Sequence, residues 1–296
     1  MKYAWLDGQR HHYPLPVPCN TLDVSIGGYR AWKRGGGRSG HRLTEAQLLE
    51  LIRAIHAQFK GAYGSPRRVD ELRGRGFPAA KAPVERLMRS HGIRARHKRR
   101  YQATTDSKHS PPVAKNRLDR NFSPAAPNRV WTADLTYVWT EEGWLYPAVV
   151  LDLFNREIVG GSIKPRMTAD IVVEALTMAW FRRKPAPGLM HHSDRGSQYA
   201  SRVFQDKLAE YGMTCSMSRK GHCGDNAPTE SFFNSLKNER VHGTRYPTRE
   251  AAINDLFEYI EVFYNRSRRH STLQSKSPVQ FLQDWISTQS GQNLAA

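Results

Sequence analysis

The sequence predicts an α/β protein: a three-layer sandwich around a mixed five-stranded sheet, preceded by a basic helical region and followed by a helical extension. Three observations carry this. From about residue 128 the apolar pattern runs strand, strand, strand, helix, strand, helix, strand, helix, an order that packs helices on both faces of one sheet. Before about residue 100 only helical spacing recurs. Three carboxylates stand in separate dense motifs at the ends of elements: Asp134 in Trp131-Thr-Ala-Asp134-Leu-Thr-Tyr137, Asp194 in His192-Ser-Asp194-Arg-Gly196-Ser-Gln198-Tyr199, and Glu230 in Asp225-Asn226-Ala-Pro-Thr-Glu230-Ser-Phe-Phe233. Thirty-five residues separate the last two.

The chain's 296 residues suffice for two domains, or for one large domain with appendages. The formal charge of +18, from 45 Lys+Arg against 27 Asp+Glu, favours a polyanion such as nucleic acid as partner. An anionic membrane would satisfy the same charge, but no apolar stretch approaches the roughly 20 residues that span a bilayer. The start, Met1-Lys2-Tyr3-Ala4-Trp5, leads into no signal-peptide pattern, so a cytosolic protein is expected. Cys19, Cys215 and Cys223 form neither a disulfide framework nor a Cys-x-x-Cys pair and read as structural or incidental.

In chain order, Leu22 to Trp32 suggests a short helical fragment with paired glycines. Thr44-Glu45-Ala46-Gln47 is a capping-box sequence ahead of Leu48, Ile52, Ile55 and Phe59 at helical spacing. Gly64-Ser65-Pro66 ends that helix and opens another, with Pro66 suited to a first helical position. A third helix is predicted over Lys81 to Ser90, with Val84, Leu87 and Met88 on one face, Lys81, Arg86 and Arg89 on the other, and Gly92 as its stop. Short helices with tight turns and arginines on the last suggest a helix-turn-helix DNA reader. A small bundle with a solvated basic face fits the same periodicity. The region is assigned to residues 1–100. A basic linker follows over 101–127, introduced by Arg94, Arg96, Lys98, Arg99 and Arg100 and rich in Ser, Thr and Pro; it is expected to be an extended tether or to lie along a phosphate backbone.

The core is assigned to 128–245. Val130 to Trp139, Leu145 to Phe154 and Glu157 to Ile163 read as a meander of three strands around a turn at Glu142-Gly143. Thr168 caps a helix bearing Ile171, Val172, Ala175, Leu176 and Ala179. Leu189 to His192 is a short strand ending at Asp194, Arg202 to Tyr211 a helix, Thr214 to Met217 a last strand, and Pro228 opens a helix through Phe232, Phe233 and Leu236. The first and fourth strands must be neighbours if the two aspartates are to meet. Residues 246–296 form the extension: Thr248 caps a helix with Ile253, Leu256, Phe257, Ile260 and Phe263, ending in the basic cluster Tyr264-Asn265-Arg266-Ser267-Arg268-Arg269-His270.

Carboxylates converging from separate elements suit a magnesium-dependent phosphoryl-transfer site, because hard cations take oxygen ligands. Singly, Asp134 reads as a strand-end residue, Glu230 as a first-turn helix acid and Asp194 as an ion-pair partner of Arg195. Only the spaced trio points to ligation. Asp152 and Asp225 read as structural, and His191 and His192 as packed or phosphate-contacting side chains rather than ligands. Asn226 is expected to orient the helix of Glu230, and Gly221 to Gly224 to form a mobile loop over DNA. Trp131, Tyr137 and Trp144 read as core or sheet-edge packing rather than base-stacking groups.

With Lys237 and Tyr264-Asn265-Arg-Ser-Arg-Arg-His270-Ser271 running to Ser277-Pro278, these ordered motifs resemble the retroviral-integrase superfamily. Within it they are similar to the second-reading-frame (OrfB) transposases of bacterial insertion sequences, over nearly the whole chain. The resemblance implies an RNase-H-like core whose acidic triad is Asp134, Asp194 and Glu230. It also implies Mg²⁺ or Mn²⁺ as cofactor, in two ions, and a basic partner at Lys237, seven residues from Glu230 and so on its helix face. Water would attack at an element end, and the freed 3′-hydroxyl would attack target DNA. Further DNA contacts are expected from Lys81, Arg86, Arg89, Arg266 and Arg269, with support from His192 and Asn226. Double-stranded DNA, further copies of the chain and an upstream OrfA fusion are the expected partners, in the bacterial cytoplasm at the nucleoid, with no membrane. A DNA-binding regulator with an inactive core, and a nuclease that cuts without joining, are the alternatives.

Overall fold

The computed structural model describes residues 2–35, 43–96, 113–220 and 222–293, and the chain divides into two compact units, Met1–Ala46 and Gln47–Ala296. In the first, α1 (Lys2–Gly8), α2 (Pro16–Thr21) and α3 (Ile26–Gly35) enclose Leu6, Cys19 and Tyr29. Lys33 pairs with Asp7 at 2.7 Å. The second unit begins within α4 (Glu45–Gln58), which buries Leu48, Ile52 and Ile55. Next come α5 (Ser65–Gly74), with proline in its first turn, and α6 (Lys81–Ser90). On α6, Val84, Leu87 and Met88 turn inward while Lys81, Arg86 and Arg89 stay exposed. Pro83 fits because it lies in the first turn, where backbone N–H groups have no partner within the helix. Gly92, at φ +64°, follows as the predicted stop.

In the sheet, β1 (Val130–Leu135) and β2 (Val138–Thr140) share one register along β3 (Gly143–Asp152). Trp131 faces Asp152, Leu135 faces Ala148, the Thr136 amide donates to the Pro147 carbonyl at 2.9 Å, and Val138 faces Leu145. The expected strand from Val130 to Trp139 is thus one line broken at Thr136-Tyr137, so six segments fill the five expected positions. On the other edge of β3 lies β4 (Ile158–Lys164), with a bulge between Val150 and Leu151. β5 (Met190–Ser193) runs parallel to β1, and β6 (Thr214–Met217) parallel to β5. The first and fourth strand positions are neighbours, as the aspartates require.

α7 (Ala169–Arg183) lies on β4 and β3. It approaches so closely at Gly160 that a Cβ there would meet the Ala175 carbonyl and stand 2.7 Å from the Ala179 nitrogen. With α8 (Ser197–Ala200) and α9 (Arg202–Glu210) it covers a core of Trp131, Val150, Ile171, Leu176, Tyr199, Phe204 and Met217. Burial of this apolar surface is the main stabilising term, at roughly 25 cal/mol per Å² removed from water.

α10 (Ala227–Leu236) continues as a π-helical turn over Lys237–Val241, and α11 (Arg249–Phe257) as another over Glu258–Tyr264, before α12 (Pro278–Asn293). The extension folds back onto the early helices: Phe263 meets the rings of Phe59 and Tyr63 at 5.7 and 6.0 Å. Asn265 brackets the start of β4, accepting from the Ile158 amide at 2.9 Å and donating to its carbonyl at 3.0 Å. By packing, α5 and α6 share a unit with the sheet.

Nor is the far end of the expected linker a solvated tether. The amides of Arg117 and Leu118 donate to Ser216 Oγ at 2.9 and 3.3 Å, and Leu118 is buried. Lys98, Arg99, Arg100 and residues 101–112 lie outside the described residues, as do Gly221 and the side chain of Cys223. No described helix is long and apolar enough to cross a membrane.

Candidate active site

The parallel pairing of β1 with β5 sets the site. Val130 faces Met190 and Thr132 faces His192, so Asp134 and Asp194 each lie two residues beyond the same rung. Adjacent strands stand about 4.8 Å apart, and residues in register share a face. Both carboxylates are oriented by backbone: Asp134 Oδ1 accepts from the Leu135 amide at 2.8 Å, and Asp194 Oδ1 from the Gly196 amide at 2.9 Å.

Glu230 arrives on the first turn of α10, which is pinned to β1 at two points. Asn226 Nδ2 donates to the Ala133 carbonyl at 3.0 Å, and Thr229 Oγ1 donates to Thr132 Oγ1 at 2.6 Å. Asn226 thus stands where an orienting residue was expected; Thr229 had no signal of its own in the sequence.

The electrostatics tie the three acids together. Burial raises the Asp134 carboxyl well above its ordinary range, and the negative charges of Asp194 and Glu230 add to this, against the pull of Lys237. Glu230 is raised as well, first by loss of water and then by Asp194. Lys237 is buried, its ammonium 4.5 Å from the centre of the Tyr137 ring, and desolvation lowers it to about 8 against the attraction of Asp134. Tyr199, which closes the Asp194 motif and was given no role from the sequence, places a buried hydroxyl without a hydrogen-bond partner where Asp134 and Asp194 both act on it.

Among the described residues no three His, Cys, Asp or Glu side chains form a ready-made metal cage. The donor set nevertheless fits a hard divalent cation: its oxygens repel one another, and magnesium completes its shell with water and substrate phosphate.

The other acids have structural partners. Asp152 accepts from the Asn128 and Phe154 amides at 2.8 and 2.9 Å. Asp225 is held well below the usual carboxylate range, first by Arg219, and also binds Arg120 and Asn116. His192 is buried between Ser216 and Ser218, at 2.9 and 3.2 Å, and burial lowers it to about 4. His191 packs edge-on to Phe204 and is lowered by burial to about 3. Both imidazoles are buried, His191 among aromatic rings and His192 between two serine hydroxyls.

The structure also redistributes the basic residues expected on DNA. Lys81, Arg86, Arg89 and Arg266 are exposed. Arg269 instead turns onto Glu71 of α5 at 2.7 Å and the Ser275 carbonyl at 2.9 Å. Arg268 is buried and binds both oxygens of Glu239 at 2.7 Å. Most of the C-terminal basic cluster therefore works as an internal clamp, its positive charge consumed by acids from distant segments.

Comparison with known proteins gives the family. The integrase core domain family matches residues 124–223 and again 230–284, and an HTH-like domain matches 43–101. The chain is 40% identical over 282 residues, 95% of its length and 98% of the relative's, to the transposase InsF for insertion sequence IS3A of Escherichia coli (strain K12). It is 43% identical, over 89% of its length and 96% of the relative's, to a 31 kDa protein of insertion element IS600 of Shigella sonnei. Among solved structures it resembles the HTLV-2 integrase catalytic core in complex with magnesium, at 20% identity and a TM-score of 0.41 over 53% of this chain and 97% of that one. The chain belongs to the InsF-type transposases of IS3-family insertion sequences, DDE-type polynucleotidyl transferases with an integrase core and a helix-turn-helix-like domain.

Proposed function

We propose that Asp134, Asp194 and Glu230 are the catalytic triad of this transposase, that they hold divalent metal, Mg²⁺ or Mn²⁺ in two ions, and that Lys237 sets the scissile phosphate against them. The observation that carries this is geometric: the register of β1 and β5 sets Asp134 level with Asp194, Asn226 and Thr229 pin the helix of Glu230 to β1, and one buried ammonium, Lys237, is drawn toward Asp134. Such a concentration of negative charge is costly in a resting protein and useful where cations and phosphate meet. The bound metal supplies charge stabilisation to the attacking and leaving oxygens of an in-line displacement.

The chain's own groups do the rest. Asn226 and Thr229 hold α10 against β1, fixing Glu230 relative to Asp134. Lys237 neutralises a phosphate oxygen. Water displaces the 3′-oxygen at an element end, and the freed 3′-hydroxyl then displaces an oxygen in the target backbone, each attacking oxygen losing its proton to solvent. Lys81, Arg86, Arg89 and Arg266 are offered as phosphate contacts, the first three from the N-terminal reader. The work divides along the chain: residues 1–100 bind element ends, 101–127 connect, 128–245 carry the chemistry and 246–296 extend it. Two element ends must be held at once, so the working form is a homo-oligomer on DNA, with an upstream OrfA fusion as a further partner.

The test is cleavage and joining by purified full chain, supplied with the upstream frame where needed, on duplexes bearing the element's own ends. Magnesium should support both steps and EDTA abolish them. Asp134→Asn or Glu230→Gln should lower the rate by at least about 10³-fold, corresponding to a loss of roughly 4 kcal/mol of transition-state stabilisation, with DNA binding retained. A 3′-blocked end should stop joining alone. Full activity in either variant removes that residue from the site.

A further inference from the structure

The break between β1 and β2 leaves an aromatic ladder leading away from the carboxylates. Tyr137, three residues after Asp134, lies under the Lys237 ammonium, and its ring meets Trp144 edge to face at 5.2 Å. Trp144 in turn meets its cross-strand partner Trp139 at 4.8 Å, again near perpendicular. Trp131 is wholly buried, as expected of a core tryptophan, but Trp139 and Trp144 are 57% and 42% exposed. Reading Trp144 as sheet packing alone leaves that surface unexplained, because two half-open indoles on a hairpin expose apolar area that a polar pair would not.

Two arginines flank the hairpin. Arg245 lies beside the hairpin, paired with Glu141, and the Arg249 guanidinium reaches the turn at Gly143, where an added Cβ would stand 3.0 Å from it. Glu142 is capped by the Arg249 amide at 2.8 Å. The hairpin acids thus have basic or amide partners, and the whole chain is strongly cationic. Chemistry on a phosphodiester recessed at the end of a sheet is easier when the neighbouring base leaves its stack, and a base that leaves needs a new surface. Aromatic faces accept any base.

We propose that Tyr137, Trp144 and Trp139 form a stacking platform for an unpaired nucleobase of the DNA end being processed. Tyr137 joins the platform to Lys237 and so to the scissile phosphate. The proposal rests on the reading of Asp134, Asp194 and Glu230 as the catalytic centre.

The test compares cleavage by full-length wild type, Trp139→Ala and Trp139→Phe on two duplexes: one fully paired, the other mismatched for the bases beside the scissile bond. Trp139→Ala should cut the paired end about tenfold more slowly, Trp139→Phe should recover most of that, and the mismatched end should restore Trp139→Ala to within about twofold of wild type. Phe181→Ala, which removes an equally exposed aromatic (61%) from α7, should change neither. The proposal is overturned if Trp139→Ala cleaves paired ends at the wild-type rate or loses activity equally on both duplexes. It is also overturned if the variant changes the sedimentation of the protein without DNA, which would make the patch a contact between copies. Should Trp139→Ala lower the thermal midpoint, Trp139→Gln against Trp139→Phe gives the same comparison. Wild-type cleavage lost in Glu230→Gln reports on the triad separately, whichever way the platform falls.

Discussion

Glu230 and Glu239 stand nine residues apart on one helical run, and their surroundings are opposite. Glu230 is pushed up by partial loss of water and then by the Asp194 charge. Glu230 is exposed at its site, whereas Glu239 is buried, and burial alone would raise Glu239. Arg268 overrides that on both oxygens, with Arg67 at 2.9 Å and Tyr259 at 2.8 Å beside it, and the net shift is downward. One acid is repelled by its charged neighbour; the other accepts four hydrogen bonds and fastens α5, the π-helical turn and the C-terminal motif together. The two acids differ in internal compensation more than in chemistry: the more deeply buried one is the one that is neutralised.

The largest effects should separate the two centres. Asp134→Asn should eliminate catalysis yet leave the folded protein at least as stable as wild type, since it removes repulsion. Glu239→Ala should cost about 3–5 kcal/mol in urea unfolding, because it strands the Arg268 guanidinium. Replacing both partners, Glu239→Leu with Arg268→Met, should recover most of that loss. A Glu239→Ala variant of wild-type stability would erase the contrast.

Magnesium should sharpen it next. A cation that binds only the folded triad raises stability by about 2.7 kcal/mol at a hundred times its Kd. The thermal midpoint should climb with magnesium in wild type and in Glu239→Gln, and stay flat in Asp134→Asn.

The pH dependence is smaller and has two stages. His191 and His270 are lowered by burial, to about 3 and about 2, with nearby positive charge adding to it. Because the unfolded chain takes up these protons first, their contribution is present above the ordinary value of 6.5 and is lost as pH falls below it. Glu239 is lowered too, so its contribution is present above 4.5 and is lost on further acidification. Stability should therefore decline from about pH 6.5 downward and more steeply below 4.5, and His270→Gln should blunt the first stage.

Smallest are the surface cations. Lys81→Ala and Arg86→Ala should each lower the salt slope of DNA binding by about 1 without moving the thermal midpoint. Arg269→Ala, which breaks the Glu71 pair, should do the reverse.

The strands, the helices α4 to α6 and the three acidic motifs were legible because each depends on local periodicity or on a cap within a few residues, whereas α1 and α2 were not read. Val84, Leu87 and Met88 on α6 fell on the inward face their spacing required. The break at Thr136-Tyr137 was not legible, since an apolar pattern runs through it unchanged. Arg268 and Arg269 look alike in the chain and differ only in which acid meets them: Glu239, 29 residues away, or Glu71, 198 residues away.

By itself, then, the sequence determined the elements, the order of the motifs and the chemical type of the site, because side chains are placed on faces by neighbours three or four residues off. Tertiary structure decided the rest. Register between β1 and β5 brought Asp134 level with Asp194, and contacts closed over long loops decided which arginines pair with internal acids. Such contacts depend on where distant segments dock, and no local pattern specifies that.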